Sequence, residues 1–562
     1  MTAIPFPPAT DGFDTDGFDT DVAVIGAGPV GLTLANLLGQ QGVATVVLEA
    51  GAELIDYPRA VGVDDEALRV MQTIGLVHEV LPHTIPDQKI YMINGERTII
   101  GEVDPRMREF GWPRRNGFVQ PLVDRVLLDG LDRFACVQVR FGSEAVDTVQ
   151  DAEGVTVAVA GGPAVRARYV VAADGGSSPT RKRLGIPFTG ETRENRGLVI
   201  DVRNDPIGTP HAVFGGDPDR GYGTIALPHG IRRWEFELFP HEDEALVEDD
   251  AFVFGLLANH TPDPAGLDII RRRVYTHHAR IAERFREGRI LLAGDAAHVM
   301  PVVGGQGWNS GIRDAVNLGW KLASVVRGHA GPELLDTYES ERMIHVTQIV
   351  AVSLSMANEM TDTDRERARA RDEAAARRTP EEQAQVRDQR FKPQPAYDGG
   401  VVLRTPAPEF KTLPARVVDR AAGTLFPQPA VRSAGGDERL LDDATGQGWR
   451  ILAWNNDPAA FLSPASLVAA ESVGARLVQV VPAVQQSWAG EHCAPSTVVV
   501  GDLGALQAWF DARPTGAVIL RPDHVIAAEC LAQELDETLR QVFALAGLGD
   551  REPVGAGPVS AG

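Results

Sequence analysis

The chain has 562 residues, of which 44% are apolar, and it carries a formal net charge of −23 with a pI near 5.0. This length accommodates roughly two to four globular domains of about 100–200 residues each. The acidic balance disfavours nucleic acid and anionic membranes as partners, because binding to phosphates requires clustered Lys and Arg side chains, so a small molecule is the expected partner.

The cysteines and the chain start predict a cytoplasmic protein. Cys136, Cys493 and Cys530 are odd in number, widely spaced and free of any CxxC pattern, so neither a disulfide framework nor a metal site is predicted. The N-terminal segment lacks the basic and apolar regions of a secretory signal, and no run approaches the ~18 apolar residues of a membrane span. Residues 1–20, with two copies of DGFDT, are predicted to be a flexible acidic tail, as are residues 549–562 at the other end.

The first predicted element is a βαβ unit with a glycine-rich turn. In VAVIGAGPVG, Gly26, Gly28 and Gly31 follow a buried strand at GxGxxG spacing, and Glu49 ends the next strand. Gly26 permits a tight turn, Gly28 lets backbone amides approach a pyrophosphate, and Gly31 lets helix and strand pack closely. Glu49 can accept hydrogen bonds from ribose hydroxyls. This unit predicts dinucleotide binding but does not distinguish NAD from FAD.

Further along the chain the hydrophobic pattern changes from the continuous apolar strands of a parallel sheet to the alternating pattern of an antiparallel sheet. Residues 191–277 alternate with period two, as in RRWEFELFP, where Trp234, Phe236 and Leu238 alternate with charged residues. We predict that this substrate-binding sheet, together with a segment at 81–108, is inserted into a FAD-binding domain formed by residues 21–80, 109–190 and 278–360.

A second glycine-rich turn follows the strand in GRILLAGD and decides between the two dinucleotides. Asp295 ends that strand, where its carboxylate can accept a hydrogen bond from a ribityl hydroxyl. Gly305 and Gly307 bring backbone amides to a helix start, where the helix dipole stabilises negative charge, and Asn309 can pair with a pyrimidine edge. A second turn of this kind is expected for tightly bound FAD, whose isoalloxazine ring lies far from its ADP half.

The last third of the chain is predicted to hold a charged linker and a small α/β domain. Residues 361–399 have a dense mixture of acidic and basic side chains, typical of a solvated helix and linker. Residues 400–548 contain short strands such as ARLVQVVP and STVVVGD interleaved with helical segments, which predicts a domain of α/β class.

Three sequence blocks together resemble the class A flavoprotein aromatic hydroxylases of the para-hydroxybenzoate and phenol hydroxylase type. These blocks are GAGPVG with Glu49, AADGGSSPTRKRLG, and LLAGDAAHVMP with GGQGWNSGIRDA. The segments LIDYPRAVGVDDEALRVMQTIGL, EFGWPRRNGFVQPLVD and RRRVYTHHARIAERFR are similar to the 3-(3-hydroxyphenyl)propionate hydroxylases. The resemblance runs from about residue 21 to about residue 528.

The resemblance implies an α/β fold with a Rossmann-like FAD-binding domain, an inserted mainly antiparallel sheet and a C-terminal thioredoxin-like domain without CxxC. It also implies that Asp174 and Gly175 contact FAD and the nicotinamide, that Arg59 contacts the FAD phosphates or ring region, and that Gln120 contacts the flavin. The expected cofactors are tightly bound FAD, transient NADH or NADPH, and O₂, with the choice of nicotinamide and a homodimer left open. The segment MPVVGGQGWN departs from the MPPFGGQGMN of many relatives at positions that the resemblance places beside the flavin ring.

The expected reaction is hydroxylation of a small phenolic acid at a carbon ortho to its hydroxyl group. A phenolate activates the ring, so its ordinary pKa near 10 must be lowered by protein groups. We predict from residue type that Tyr222 bonds the phenol, His229 relays its proton and Arg232 pairs with the carboxylate. Arg114 and Arg115 could steer an anionic substrate, and His298 is interpreted as a structural histidine.

Two alternatives remain at this point, and a third is disfavoured. A flavin halogenase is disfavoured because no Trp-x-Trp segment occurs. A larger polycyclic phenol or a resorcinol-type ring could replace the phenolic acid, since antibiotic-tailoring relatives share the same blocks. A non-oxygenating flavin-binding reductase or sensor would carry the same FAD motifs.

Overall fold

The computed structural model describes residues 17–388, 392–404 and 421–548. Most of the predicted acidic tail at 1–20 and all of the predicted tail at 549–562 lie outside the described residues. The described residues divide into two compact units, the first within 1–107, 112–315 and 346–393 and the second within 108–111, 316–345 and 394–562. No helix of the described ranges combines the length and the apolar character that crossing a membrane requires.

The first part of the chain forms β1 (Thr20–Ile25), α1 (Pro29–Gln40), β2 (Thr45–Leu48), β3 (Gly62–Asp64), α2 (Asp65–Thr73), α3 (Val77–Val80), β4 (Thr84–Ile85), β5 (Ile90–Asn94), β6 (Ile99–Val103), β7 (Arg115–Phe118), α4 (Gln120–Asp129), β8 (Val137–Arg140), β9 (Ala145–Gln150), β10 (Val155–Val159), β11 (Val165–Ala172) and α5 (Pro179–Arg183). The middle part forms β12 (Phe188–Arg203), β13 (Ala212–Gly216), β14 (Tyr222–Leu227), β15 (Ile231–Leu238), α6 (Asp250–Leu257), β16 (Asp268–Ala282), β17 (Arg286–Glu287), β18 (Ile290–Leu292), β19 (His298–Val299), α7 (Gln306–Val326), α8 (Asp336–Met360), α9 (Arg365–Ala376) and α10 (Pro380–Arg387). The C-terminal part forms β20 (Ala430–Arg432), β21 (Glu438–Leu440), α11 (Leu441–Thr445), β22 (Arg450–Trp454), α12 (Pro464–Ser472), β23 (Arg476–Pro482), α13 (Gln486–His492), β24 (Thr497–Asp502), α14 (Ala505–Asp511), β25 (Ala517–Leu520), β26 (Ile526–Cys530) and α15 (Leu535–Leu545).

The first sheet is the predicted parallel dinucleotide-binding sheet. Its strands run in the order β17-β18-β11-β1-β2-β8, with β10 and β9 continuing from β11. Strands β18, β11, β1, β2 and β8 are parallel to one another, whereas β17 and β10 are antiparallel to β18 and β11. The continuous apolar strands β1 and β2 are almost entirely buried, as expected for parallel strands that are covered on both faces.

The second sheet is the predicted inserted sheet, and its two faces differ. The order is β19-β16-β12-β15-β14-β13-β5-β6, antiparallel except where β13 pairs with β5. On one face, Trp234 and Phe236 of β15 pack with Val253 and Leu257 of α6 in an apolar core. Arg233 and Glu235 alternate with these residues on β15 and therefore point to the opposite face. A third, smaller sheet has three strands in the order β3-β7-β4.

The second unit contains the predicted C-terminal α/β domain. Its seven-stranded sheet has the order β21-β20-β24-β23-β22-β25-β26, with β22, β23 and β24 parallel. Residues 316–345 cluster with this unit, although the sequence places them in the FAD-binding domain. A buried ion-pair group explains the difference, because Glu341 pairs at 2.7 Å with both Arg521 and Lys321.

Candidate FAD and substrate site

The first unit contains a cavity of about 1060 Å³. Its wall includes parts of both glycine-rich turns, the ends of β11 and β18, and the charged face of the second sheet. Because ligands of open α/β sheets bind beyond the carboxyl ends of the strands, this cavity is the candidate site.

The first turn has the geometry that its sequence predicts. Gly26 has φ +107°, and a Cβ atom there would lie 2.5 Å from the Ala173 carbonyl oxygen. A Cβ on Gly31 would lie 2.0 Å from the Gly26 carbonyl oxygen, so only glycine permits this approach of α1 to β1. Gly28 lines the cavity and has open space beside its Cα atom. The backbone around Gly28 can therefore approach a ligand closely.

Glu49 lies at the end of β2, as predicted. Its carboxylate accepts hydrogen bonds from the amides of Ala27 at 2.7 Å and Gly51 at 2.8 Å. These bonds fix the carboxylate beside the first glycine turn, which is where an acidic residue that accepts from ribose hydroxyls is expected.

The second turn connects β18 to α7. Asp295 lines the cavity and is accessible from it, while desolvation by the surrounding protein raises the pKa of its carboxyl group. Gly305 has φ +65° and also lines the cavity, and Gly307 has open space beside its Cα atom. The N-terminus of the 21-residue helix α7 begins here at Gln306, so its dipole is directed at this part of the cavity.

Asn309 has a different environment from the one expected. Its side-chain amide donates to the carbonyl oxygens of Gly62 at 3.0 Å and Gly305 at 2.7 Å, and its oxygen accepts from the Asp64 amide at 3.1 Å. Asn309 is 2% exposed and does not line the cavity. It joins β3 to the start of α7, and we assign it a positioning role in this structure.

Asp174 and Gly175 follow β11 and line the cavity. The Asp174 carboxylate accepts from the Ser178 hydroxyl at 2.5 Å and from the Thr180 amide at 3.1 Å, which fixes the start of α5. Gly175 has φ +79° and open space beside its Cα atom. Both residues therefore line the cavity, and their contact with FAD stays a prediction from the resemblance.

Gln120 and Arg59 also line the cavity, and they are linked. The Gln120 side-chain oxygen accepts from the backbone amides of Arg59 at 3.1 Å and Ala60 at 2.8 Å. Its amide nitrogen donates to Asp124 at 3.0 Å. Gln120 thus positions the segment that presents Arg59.

The Asp124 side chain gives a pH-dependent prediction. Burial raises its pKa to about 7, although the Gln120 hydrogen bond and the Arg59 charge favour ionisation. Because this pKa is higher in the folded than in the unfolded protein, the protonated Asp124 carboxyl group stabilises the fold at a pH below its ordinary pKa of 3.8. This contribution is lost as the pH rises through about 7. We therefore compare the free energy of unfolding of Asp124→Asn with that of the native protein. We expect this difference to shift in favour of Asp124→Asn by about 2–4 kcal/mol as the pH rises from 4 to 8. Urea unfolding of both proteins at pH 4, 6 and 8 measures this, and a pH-independent difference would contradict it.

The three predicted substrate residues lie on the covered face of the second sheet or in one of its turns. Tyr222 lies in the apolar core, where the centroid of its ring is 4.4 Å from that of His260. Arg232 is fully buried and pairs with Asp205 at 2.6 Å. His229 has φ +63° in the turn between β14 and β15 and lies 3.2 Å from a nitrogen of His83. The structure brings none of these three to the cavity.

Several residues of this sheet that do line the cavity lie on the face opposite to Trp234 and Phe236. Arg233 and Glu235 of β15 and Arg271, Arg273 and Tyr275 of β16 line the wall. The signal was present in the sequence, because the face that carries Trp234 and Phe236 had to be the covered one.

A charged group on this face is rigidly held. Asp201 accepts from Arg233 at 2.8 and 3.0 Å and pairs with Arg271 at 3.0 Å. Arg233 also donates to the Pro58 carbonyl oxygen at 2.7 Å. Burial raises the pKa of the Glu235 carboxyl group, and it raises the pKa of Tyr275 well above 10.

Two other predicted residues are placed as follows. His298 is fully buried and its Nε2 atom lies 2.7 Å from Asp314, which agrees with a structural role. Of the two arginines proposed to steer the substrate, Arg115 lines the cavity and burial lowers its pKa to about 10, whereas Arg114 lies 3.6 Å from Asp65 and does not line it.

The cavity fits FAD. Gly28, Gly175 and Gly307 leave open the space that a Cβ atom would take, the helix α7 dipole favours negative charge, and Asp295 presents an acceptor. The volume of about 1060 Å³ is at the top of the range of about 300–1,000 Å³ for small-molecule sites. The site can therefore take a large cofactor.

Comparisons with known proteins show the family to which the chain belongs. A family model described as FAD binding domain matches residues 19–353, and one described as HcaD C-terminal domain matches residues 423–545. Proteins named 3-(3-hydroxy-phenyl)propionate/3-hydroxycinnamic acid hydroxylase are 48% identical in Mycobacterium sp. (strain JLS), covering 95% of this chain and 93% of that one, and in Mycobacterium avium (strain 104), covering 96% and 93%.

Solved structures share the fold over most of the chain. The flavin-dependent monooxygenase PieE in complex with FAD and substrate has a TM-score of 0.76 at 23% identity, covering 94% of this chain and 99% of that one. Aklavinone-11 hydroxylase with FAD and aklavinone has a TM-score of 0.73 at 26% identity, with the same coverage. The chain therefore belongs to the FAD-dependent aromatic hydroxylase family that includes the 3-(3-hydroxyphenyl)propionate/3-hydroxycinnamic acid hydroxylases.

Proposed function

We propose that the enzyme hydroxylates 3-(3-hydroxyphenyl)propionate to 3-(2,3-dihydroxyphenyl)propionate in aromatic catabolism. In the balanced reaction, NAD(P)H, a proton, O₂ and the phenolic acid give NAD(P)⁺, water and the catechol, with one oxygen atom of O₂ in each of the last two. The observation that carries the proposal is a single cavity that combines two glycine turns suited to FAD with a charged sheet face. The names of the 48% identical relatives support the substrate.

Bound FAD supplies electron transfer from NAD(P)H to O₂ and the activated oxygen. The protein must hold the ring in place, keep water away and adjust the proton of the phenol. Arg233, Asp201 and Arg271 give the wall a fixed shape through their mutual ion pairs. This rigidity favours one orientation of the bound ring.

We assign the phenol contact to Glu235 and Tyr275 in preference to Tyr222 and His229, because the first two line the cavity. The raised pKa of Glu235 makes its carboxylate a better proton acceptor for a phenol than an ordinary glutamate. The pKa of Tyr275 keeps its hydroxyl protonated, so it can donate a hydrogen bond to the phenolate oxygen.

The test is substrate-dependent oxidation of NADH and of NADPH by the purified enzyme, with the product identified by mass spectrometry. We expect 3-(3-hydroxyphenyl)propionate to increase the oxidation rate at least tenfold and to yield the catechol in near-equal amount. The panel should include 3-hydroxycinnamate, resorcinol and a polycyclic phenol. If the enzyme turns over only the polycyclic phenol, that compound replaces the proposed substrate. If no phenol stimulates the oxidation of NADH or NADPH, the protein is a flavoprotein that does not oxygenate.

A further inference from the structure

Positive side chains outnumber negative side chains in the wall of the cavity. Its lining includes three carboxylates, Asp174, Glu235 and Asp295, and eight cationic side chains: Arg59, Arg115, Arg181, Lys182, Arg233, Arg271, Arg273 and Arg280. The whole chain carries a net charge of −23. An excess of cations at one cavity of an acidic protein indicates a site for anionic ligands.

Most sheet arginines of this wall already use their donors within the protein. Arg233 and Arg271 share Asp201, at 2.8 and 3.0 Å respectively. Arg280 donates to the Thr192 hydroxyl at 2.9 Å. Pairing of this kind leaves these guanidinium groups with reduced capacity for a ligand carboxylate.

Arg273 differs from these arginines. Its side chain is exposed and lines the cavity, and it makes no hydrogen bond or ion pair with any residue in the described ranges. Its guanidinium carbon lies 5.7 Å from the centroid of the Tyr57 ring. The planar guanidinium is therefore available for a bidentate bond to a carboxylate.

The neighbours of Arg273 on the sheet follow the polarity of a phenolic acid. Val199 of β12 pairs with Arg273 on one side and with Glu235 on the other. Two strand spacings separate Arg273 from Glu235, a distance of about 10 Å at the backbone. The row thus presents a cation, an apolar residue and a carboxylate, which matches a carboxylate, an aromatic ring and a phenol hydroxyl.

We propose that Arg273 binds the substrate carboxylate and is the residue that selects aromatic acids over neutral phenols. The bound ring lies against Val199, with its hydroxyl group directed at Glu235. This assignment rests on the proposed function and adds to it the group that determines the substrate class. It replaces Arg232, which the structure places on the opposite face in an ion pair with Asp205.

The experiment compares Arg273→Met, Arg273→Lys and Arg272→Met with the native enzyme. Arg272 is the matched control, because it is the adjacent residue, points to the opposite face and pairs with Asp250 at 2.5 Å. Each enzyme is assayed for catechol formation from 3-(3-hydroxyphenyl)propionate and from neutral 3-propylphenol, and bound FAD is measured by visible absorption.

We expect Arg273→Met to lower kcat/KM for the acid by roughly 10- to 100-fold, mainly through KM, and to leave 3-propylphenol unchanged. Arg273→Lys should retain part of the preference for the acid, and Arg272→Met should match the native enzyme. Equal losses on both substrates, or no loss on the acid, would overturn the proposal. So would a native enzyme that turns over both substrates equally well, a result that needs no variant.

Failure of the proposed function has a separate signature. A native enzyme that forms catechol from neither substrate contradicts the hydroxylase assignment. A native enzyme that forms catechol from the acid, together with an Arg273→Met variant of undiminished kcat/KM, contradicts the role of Arg273 alone.

Discussion

Replacement of Gly28 by leucine is expected to weaken FAD binding by roughly 100-fold or more without unfolding the protein. Gly28 has φ −74° and ψ 177°, a conformation open to any residue, so the substitution introduces no backbone strain. Nothing lies within 4 Å of the position of its Cβ atom, and the residue lines the cavity. The leucine side chain would therefore occupy the space of the pyrophosphate, and such overlap typically costs 1–3 kcal/mol or more.

The measurement is fluorescence titration of the apoprotein with FAD, together with circular dichroism. Gly255→Leu is the matched control, because Gly255 also has open space beside it but is exposed on α6, away from the cavity. The control should bind FAD as the native protein does. If Gly28→Leu binds FAD with native affinity, the first turn does not hold the cofactor.

Replacement of Asp314 by alanine is expected to destabilise the first unit by about 3 kcal/mol or more. The fully buried Asp314 carboxylate accepts from the Gly294 amide at 2.9 Å and from His298 Nε2 at 2.7 Å. It thereby joins the turn after β18 to helix α7. Alanine leaves two buried polar groups without this acceptor, and breaking a buried pair by removing one partner typically costs about 3–5 kcal/mol.

Urea unfolding followed through the release of FAD measures this loss. Asp314→Asn retains one acceptor oxygen in the same place, so it should lose less stability than Asp314→Ala. If Asp314→Ala unfolds at the same urea concentration as the native protein, the His298–Asp314 contact does not support the second turn.

The sequence was sufficient to predict the FAD turns because their chemistry is local. Gly31 is required by the close approach of α1 to the Gly26 carbonyl oxygen within one βαβ unit, and the spacing of the glycines follows from the geometry of a strand, a turn and a helix. Asp295 is placed by the end of a short buried strand. Gly26 also meets Ala173, which is distant in the chain, but its place in the glycine pattern was enough to predict the turn.

The substrate face was harder to predict because it depends on which side of a sheet is covered. The alternation in RRWEFELFP was correct, but Tyr222 and Arg232 were selected by residue type without regard to parity. The position of α6 over Trp234 and Phe236 decides that Arg233, Glu235 and Arg273 face the cavity. A consistent use of the two-residue period would have found Arg233 and Glu235.

Long-range contacts were beyond the sequence in principle. Asn309 has the residue type for pairing with a pyrimidine, yet its amide bonds Gly62, which is 247 residues away. Arg313 binds Asp64 and Glu66 at a similar separation, and Lys392 binds the same carboxylates. Pairs at this distance along the chain form only in the folded protein, and no local pattern records them.

A crystal structure with FAD and 3-(3-hydroxyphenyl)propionate is the most direct test of the account. We predict electron density for the ribityl chain beside Asp295 and for the isoalloxazine ring beside Gly305 and Gly307. We also predict density for the acid with its carboxylate on Arg273 and its phenol oxygen near Glu235. Density for FAD outside this cavity, or for the acid on the face that carries Tyr222 and Arg232, would contradict it.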